Sequence, residues 1–577
     1  MLDHSVTRSL GHSVALNEIP SLALETRSFV RYMWHDHKNM AVADGLAGGL
    51  IVRGPSDDAL NVQYNVTRDD VLVVTDWYDQ NSVMQAKGLN GVVDVEDPSK
   101  TGPGYNNFVW NARSLLLDWK GCYNDCTMNS DGTFSCDPDL ECKDRYVMNI
   151  NPDESLRLRI VGAGSGLYQI VCFQGVDVTL IAMDAREVEP VALADGCVDV
   201  DLGQRADVII RGRALEELGD ERSFWLVSRA DDFGNPASYG VISYSNCSDG
   251  SECLPTTPAP QPIDVPKSWS TTGFINNLTS SAGADVPAYV TDARQPDKRL
   301  VFQLTAPIMQ ETSQARWAIS NAVYLKTPGC SNVLSQARNA EWLTDANPFV
   351  VSNSTALSNV DIYDMPGLGE PGEGSDSAFV YLNLAGNTSI TPLQPVAGTP
   401  IVETRLGEVI DIVLQDVPEG SLGGLMPNDT NMYSHPFHLH GTHFWVLGSG
   451  NGTYSGSNAT LNFANPRSAD TQVVAAGGWT YLRFQANNPG VWPMHCHIAA
   501  HEFGGMVMLF ANDVLSLPAI NLREGVLPTC PEACTYSAKL YNETEVADGV
   551  NVSSSAKTAV SLTALSVAYL VLVSTPM

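Results

Sequence analysis

The stretch HCHIAAHEFGGM at residues 495–506 places three imidazoles, one thiol and one thioether within twelve positions. Neighbouring side chains on an extended strand point to opposite faces. Cys496 should therefore face one way, while His495 and His497 face the other. The sequence thus predicts two centres, one on each side of a single strand.

The thiol side of this stretch has the ligand types of a blue copper site. Such sites combine a thiolate and imidazoles with a weak axial thioether. We therefore predict that Cys496, His501 and Met506 hold one copper. His495 and His497 would reach a second metal site, and a short piece of backbone would join the two centres.

A second histidine-rich stretch, HPFHLHG at residues 435–441, supplies three more imidazoles. His438 and His440 alternate onto one face of an extended chain. His435 stands apart from them and can serve the blue site. Two such stretches in one chain make chance clustering of histidine a poor explanation.

These motifs resemble those of the multicopper oxidases, the family of laccases, ascorbate oxidases and ferroxidases. HPFHLHG and HCHIAAHEFGGM match two of its four copper motifs. A third match is Trp34-His35-Asp36-His37, followed by ADGL at residues 43–46. The resemblance covers about residues 33–535.

The resemblance implies four coppers, held by residues at matching positions. The implied ligands are His435, Cys496 and His501 with axial Met506 for the blue copper, His438 for a mononuclear copper, and His35, His37, His440, His495 and His497 for a coupled pair. Asp44 matches a family acid that handles protons. Where a second acid usually follows the HCH motif, this chain has Ala499, so proton delivery would be slower or rerouted.

The same resemblance implies a reaction, in which a small reducing substrate gives up single electrons and dioxygen becomes water. A thioether at Met506 should lower the blue-site potential, which favours easily oxidised donors. Gly166 stands where laccases often carry a carboxylate, and Asn149 or Asn151 stands near the place of a ferroxidase acid. We predict laccase-like oxidation of phenols or aromatic amines. A cell-surface ferroxidase is the alternative, and a non-catalytic surface protein or an inactive truncated product belongs to another class.

The fold is predicted to be all-β, because short apolar runs such as residues 71–78 and the alternating residues 155–161 are separated by turn residues. The family plan is three cupredoxin-like Greek-key β-sandwich domains, and the first would be incomplete. The predicted divisions are the end of domain 1 at 1–66, domain 2 at 67–253, a linker at 254–267, domain 3 at 268–535, and a spacer with an apolar tail at 536–577.

The N-terminal region lacks two features that the resemblance leads us to expect. It has no HWHG motif, which would supply two more ligand histidines, and no apolar secretion signal. The simplest interpretation is a truncated or mis-started sequence in which residues 1–31 are non-native. The rival interpretation is a protein that has lost those ligands.

Composition indicates a secreted or cell-surface glycoprotein. The net charge of −32 argues against nucleic-acid binding. Ten N-glycosylation sequons are present, at Asn65, Asn246, Asn277, Asn353, Asn387, Asn428, Asn451, Asn458, Asn542 and Asn551. The uncharged apolar run at 558–573 follows a small polar spacer, which favours a GPI-attachment signal over a spanning anchor.

The chain has twelve cysteines, an odd eleven once Cys496 is assigned to copper. In an oxidising compartment, most of them are expected to form disulfides. The group of four at residues 122–142 could instead bind zinc, although it lacks histidine. The leftover thiol suggests a partner that is absent from this sequence.

Overall fold

Strands form most of the regular structure, and they assemble into several sheets. The computed structural model describes residues 30–85, 112–260, 275–323 and 401–513 with short gaps inside these ranges, together with strands at 12–14, 350–351, 380–381 and 396–397. The middle of the chain forms a five-stranded and a six-stranded sheet, and the C-terminal part forms a nine-stranded and a six-stranded sheet. The all-β prediction is confirmed.

The elements are numbered here in chain order. The N-terminal part contains β1 His12–Val14, β2 Val30–His35, a 3₁₀ turn Ala41–Asp44, β3 Ala47–Val52 and α1 Pro55–Gln63. The middle part contains β4 Arg68–Tyr78, β5 Ala112–Leu117, β6 Cys126–Met128, β7 Phe134–Cys136, β8 Val147–Asn149, β9 Ser155–Gly162, β10 Gln169–Phe173, β11 Val176–Met183, β12 Arg186–Ala192, β13 Cys197–Val200, β14 Arg205–Gly212, β15 Ser223–Ala230 and β16 Ala237–Ser243.

The C-terminal part carries the remaining elements. They are a 3₁₀ turn Ile275–Asn277, α2 Ala288–Thr291, β17 Lys298–Thr305, β18 Ile308–Met309, β19 Gln314–Ala315, β20 Ala318–Ile319, β21 Ala322–Val323, β22 Val350–Val351, β23 Val380–Tyr381, β24 Val396–Ala397, β25 Ile401–Thr404, β26 Val409–Asp416, β27 His435–Leu439, β28 Phe444–Asn451, β29 Arg467–Ala469, β30 Thr471–Val474, β31 Gly478–Gln485, β32 Gly490–Cys496, α3 Ala499–Gly504 and β33 Val507–Asn512.

Helix α1 is an element that the sequence prediction missed. Pro55 begins it, at a position where no backbone N–H is needed and the fixed φ of proline suits a helix. Asp57 is buried, and its carboxylate pairs with Arg157 at 2.9 Å and with Arg159 at 2.8 Å on β9. Leu60 is the buried apolar side chain among those described in this helix. Because ion pairs rather than an apolar stripe dock the helix, hydrophobic periodicity could not reveal it.

The first half of the predicted linker, residues 254–260, packs against the second domain. The indole of Trp225 donates to the carbonyl of Thr257 at 2.9 Å, and the hydroxyl of Tyr239 donates to the carbonyl of Pro260 at 2.9 Å. Leu254 also contacts the apolar core of that domain. Residues 261–267 lie outside the described part of the chain, as does the predicted tail at 536–577.

One apolar core joins the N-terminal sheet to the C-terminal sheets. It contains Met40 and Ala47 from the N-terminal part, Val161 from β9, and Phe437 and Met494 from the sheet that bears the two strong motifs. Burial of these side chains is the main force that holds the parts together. The first histidine motif is therefore packed against the strands that carry the other two.

Strand register decides how the motif histidines meet. Strand β27 lies between β30 and β32, and in its antiparallel pairing with β32 His438 is opposite His495 while Phe437 is opposite Cys496. Directly opposed residues on paired strands share one face of the sheet. His438 and His495 thus lie on one face, and Cys496 lies on the other, as the alternation predicted.

Three disulfides are described, and they bear out the expectation that most cysteines pair. Cys122 bonds to Cys142, Cys247 to Cys253, and Cys172 to Cys197. The first bond uses two cysteines of the group that could have bound zinc, so the zinc alternative is wrong. Cys496 is a free, buried thiol among the described residues.

Candidate metal centre

The first centre is a triad of two imidazoles and a thiol. The Sγ of Cys496 lies 3.6 Å from Nδ1 of His435 and 3.5 Å from Nδ1 of His501. The two Nδ1 atoms are 3.1 Å apart, and all three side chains are buried. The three donors thus converge on one point, as two histidines and a cysteine do around blue copper.

Met506 and Trp317 border this triad. The N–H of Cys496 donates to the carbonyl of Met506 at 3.1 Å, and the N–H of Met506 donates to the carbonyl of His501 at 2.9 Å. These two bonds place the backbone of Met506 beside the triad, and its buried side chain belongs to the same apolar core as Cys496. The indole of Trp317 stacks on the His501 ring with centroids 4.5 Å apart.

The second centre is a cluster of imidazoles on the other side of Cys496. Nε2 of His440 and Nε2 of His495 are 3.0 Å apart, and His37 offers a third donor within 4.8 Å of both. The remaining rings lie close by: His35 is 4.3 Å from His37 and 4.7 Å from His497, and His438 is 4.8 Å from His440, between ring centroids. All six histidines predicted for this side are therefore brought together.

Hydrogen bonds at Nδ1 orient three of these rings. His37 donates to Oε1 of Glu502 at 2.9 Å, His438 to the carbonyl of Asp470 at 2.9 Å, and His495 to the carbonyl of Cys496 at 3.0 Å. A ring that donates through Nδ1 keeps the lone pair of Nε2 free for a metal. The cluster is thus prearranged to bind metal through Nε2.

Burial sets the protonation of the donors. It lowers the pKa of His438 to about 4 and lowers the pKa of His440 and His497 well below the usual value, so these imidazoles are neutral near pH 7. Burial also raises the pKa of the Cys496 thiol. A buried thiolate needs a cation in contact with it. A soft thiolate with two neutral imidazoles is a donor set that fits copper.

Glu502 is a site residue that sequence reasoning missed. It follows His501 in α3, and because successive helical residues point about 100° apart, one turn directs His501 to the triad and Glu502 to the cluster. Its Oε1 lies 2.9 Å from Nδ1 of His37, and its Oε2 lies 3.7 Å from Nδ1 of His495. Burial acts to raise the pKa of Glu502, but these two imidazoles outweigh it and hold that pKa below its usual range. The family acid that is missing at position 499 thus has a counterpart in Glu502, three residues further along the chain.

Asp44, the predicted proton-handling acid, is hydrogen-bonded to Ser82. Its side chain is exposed at the end of the 3₁₀ turn. The carboxylate accepts the backbone N–H of Ser82 at 2.7 Å and the Ser82 hydroxyl at 2.6 Å. Within the described residues, its hydrogen bonds thus go to Ser82 and not to a ligand histidine.

The second domain contributes none of the predicted metal ligands. Its loop before β14 nevertheless packs against the histidine cluster. Gly203 has a φ of +78°, and a Cβ there would lie 2.5 Å from Cδ2 of His497. Arg205 donates through its two terminal nitrogens to both carboxylate oxygens of Asp470, each at 2.6 Å. The backbone carbonyl of Asp470 in turn accepts a hydrogen bond from Nδ1 of His438. Only contacts across domains reveal this support, so the sequence held no signal for it.

Comparison with known proteins agrees with this geometry. Two family models described as multicopper oxidase match residues 68–247 and 376–516. The L-ascorbate oxidase of Cucurbita pepo var. melopepo is 26% identical over 522 residues, which cover 88% of this chain and 80% of that protein. The laccase-like multicopper oxidase 1 of Thermothelomyces thermophilus is 25% identical over 84% of this chain and 73% of its own length.

A solved structure shares the fold. The crystal structure of Fet3p, a multicopper oxidase that functions in iron import, superposes with a TM-score of 0.55 at 17% identity. The match covers 84% of this chain and 72% of that one.

A copper-dependent oxidoreductase is the class of protein that this donor set on packed β-sheets defines. The chain belongs to the multicopper oxidase family, whose two models together match more than half of its length. Its cupredoxin-like architecture and its use of copper follow from that membership, so the predictions of fold class and cofactor are confirmed.

Proposed function

We propose that this oxidase removes single electrons from small phenolic or aromatic amine donors and couples their oxidation to the four-electron reduction of dioxygen to water. One observation carries the proposal. Cys496 belongs to the triad, while its neighbour His495 lies 3.0 Å from His440 in the cluster. A single peptide unit thus links the two centres.

Copper, when bound, would supply the one-electron chemistry at the triad and the dioxygen chemistry at the cluster. The protein side chains hold the donor atoms in place and supply protons. His435, Cys496 and His501 are buried, so they hold their donors away from water. Reduction of dioxygen to water consumes protons, and Glu502 holds a carboxylate against His37 and His495 at the place where those protons are needed.

The donor class follows from the surroundings of the triad. The Met506 thioether favours a moderate potential, which suits donors that are easily oxidised. Neither Gly166 nor Asn149 supplies a donor-binding carboxylate, and the Asn149 amide is engaged with the backbone of Cys247 at 2.8 and 2.9 Å. Phenols and aromatic amines make the fewest demands on a binding site.

Ferrous iron is a second candidate donor, because a net charge of −32 attracts cations to the protein surface. The test is oxygen consumption by the copper-loaded protein with a methoxyphenol, ferrous ion and ascorbate at matched concentrations. The proposal requires the largest kcat/KM for the phenol, by about tenfold or more. A larger value for ferrous ion or ascorbate would replace the substrate class, and no oxygen uptake with any donor would support the non-catalytic alternative.

We also propose that the protein is a secreted, GPI-anchored glycoprotein. The asparagines of all four sequons that the structure describes, Asn65, Asn246, Asn277 and Asn451, are exposed. Among the described residues, no helix is long and apolar enough to cross a membrane. Treatment of expressing cells with phosphatidylinositol-specific phospholipase should release the protein. Retention, with the apolar C-terminus still present by mass spectrometry, would favour a spanning anchor instead.

A further inference from the structure

Asp416, the last residue of β26, lies against the outer edge of the triad ligand His435. Its Oδ1 is 3.5 Å from Nε2 of His435, and both residues are buried. Nδ1 of the same ring faces Cys496 and His501. The carboxylate therefore meets the imidazole at the nitrogen that points away from the metal.

The charge of Asp416 is not neutralised by a guanidinium or an ammonium group in the described part of the chain. Its Oδ2 accepts the backbone N–H of Gly477 at 2.6 Å. Asp411 on the same strand offers a contrast, because its two oxygens bind the guanidinium of Arg483 at 2.6 and 2.8 Å. The carboxylate of Asp416 therefore lies next to the His435 ring, and the described residues place no guanidinium or ammonium group against it.

We propose that Asp416 is a positioning residue that orients His435 and lowers the reduction potential of the copper held by the triad. A carboxylate on the far nitrogen of a ligand imidazole fixes its ring and makes it a stronger donor. Both the stronger donor and the nearby negative charge favour the more highly charged, oxidised metal. The proposal rests on the copper site of the proposed function. It adds that Asp416 covers this edge of the His435 ring, so the edge is not open to an electron-donating substrate.

The test is a redox titration of the blue absorption in copper-loaded Asp416→Asn, which keeps an acceptor for Gly477 but removes the charge. At the potential where half of the native copper is oxidised, the oxidised-to-reduced ratio should fall about tenfold, a rise in potential of about 59 mV. Asp58→Asn is the matched control, because it removes one charge from an exposed position on α1. Its ratio should stay within about twofold of native.

An intact blue band with a ratio within about twofold of native in Asp416→Asn would overturn the proposal. If that variant does not fold, Asp416→Ser removes the charge with a smaller side chain and is judged by the same criterion. Failure of the proposed function is distinguishable, because it would appear as the absence of the blue band or of oxygen uptake in the native protein.

Discussion

Adjacent residues of this protein serve different centres, and the pair His501 and Glu502 shows it most clearly. One is a triad ligand, and the other contacts the rings of His37 and His495. The pair matters because dioxygen reduction needs electrons and protons at the same place. A carboxylate that contacts two cluster imidazoles is well placed to relay protons into the cluster.

Replacement of Glu502 by glutamine should slow dioxygen reduction and leave the triad unchanged. Loss of a positioned proton-transfer group typically costs about 10²-fold in rate. Stopped-flow reoxidation of the fully reduced protein by oxygen measures this step, and the blue absorption reports the triad. Glu216→Gln, on an exposed turn, is the control and should behave like native. A reoxidation rate within about threefold of native in Glu502→Gln would show that Glu502 has no such role.

The grouping of the motif residues into two centres could be predicted from the sequence because metal motifs are local. Within each motif, spacing and strand alternation decide which donors share a face, and the structure places Cys496 and His495 accordingly. Asp416 could not be found in this way, because it lies on another strand and meets His435 only in the folded chain. The role predicted for Asp44 stays a prediction, and the structure adds that its carboxylate binds Ser82.

At the scale of elements, an ion pair supports the cluster from the second domain. It joins Arg205, the first residue of β14, to Asp470, which lies between β29 and β30. Arg205 and Asp470 are both buried, and Gly203 lies directly under His497. A buried ion pair of this kind contributes little net stability compared with apolar packing. The loss of one partner is nevertheless costly, because the other charge then remains buried without a partner.

Arg205→Met should therefore lower the free energy of unfolding by about 3–5 kcal/mol, since the Asp470 carboxylate would remain buried without its partner. Urea unfolding followed by fluorescence measures the change. Arg213→Met is the matched control, because Arg213 pairs with Asp177 at 2.8 Å on the surface, and exposed pairs contribute about 1 kcal/mol or less. A loss in Arg205→Met no greater than in the control would contradict this role.

Some helices and strands could be predicted from a pattern in the sequence, and others could not. Strands β4 and β9 could be predicted because apolar and β-branched residues recur along them. Helix α1 could not, because Arg157 and Arg159 hold it through Asp57. The segment 254–260 looks like a free linker in composition, but Trp225 and Tyr239 hold it by its carbonyl groups, which composition does not record.

For the whole molecule, buried neutral imidazoles make the copper-free protein sensitive to acid. Burial lowers the pKa of His438 from 6.5 to about 4 in the folded state. Below pH 6.5 the His438 ring binds a proton in the unfolded chain but stays neutral in the folded protein. The free energy of unfolding is therefore highest above that pH and decreases as the pH falls toward 4. His440 and His497 shift in the same direction for the same reason.

The chelated protein should lose about 2 kcal/mol of stability from His438 alone between about pH 7 and pH 5. Urea unfolding of the copper-free protein across this range measures the loss. A free energy of unfolding that does not change over this range would mean that the pKa of His438 is not lowered in the folded state.

The central claim is that His435, Cys496 and His501 hold a blue copper one residue from a second copper centre. The most direct test is the visible spectrum of the copper-loaded protein beside that of Cys496→Ser. Thiolate bound to oxidised copper in this geometry predicts an intense absorption band in the red, and the variant should lose it while it keeps copper at the cluster. A native protein that binds copper without this band, or a variant that retains the band, would contradict the account.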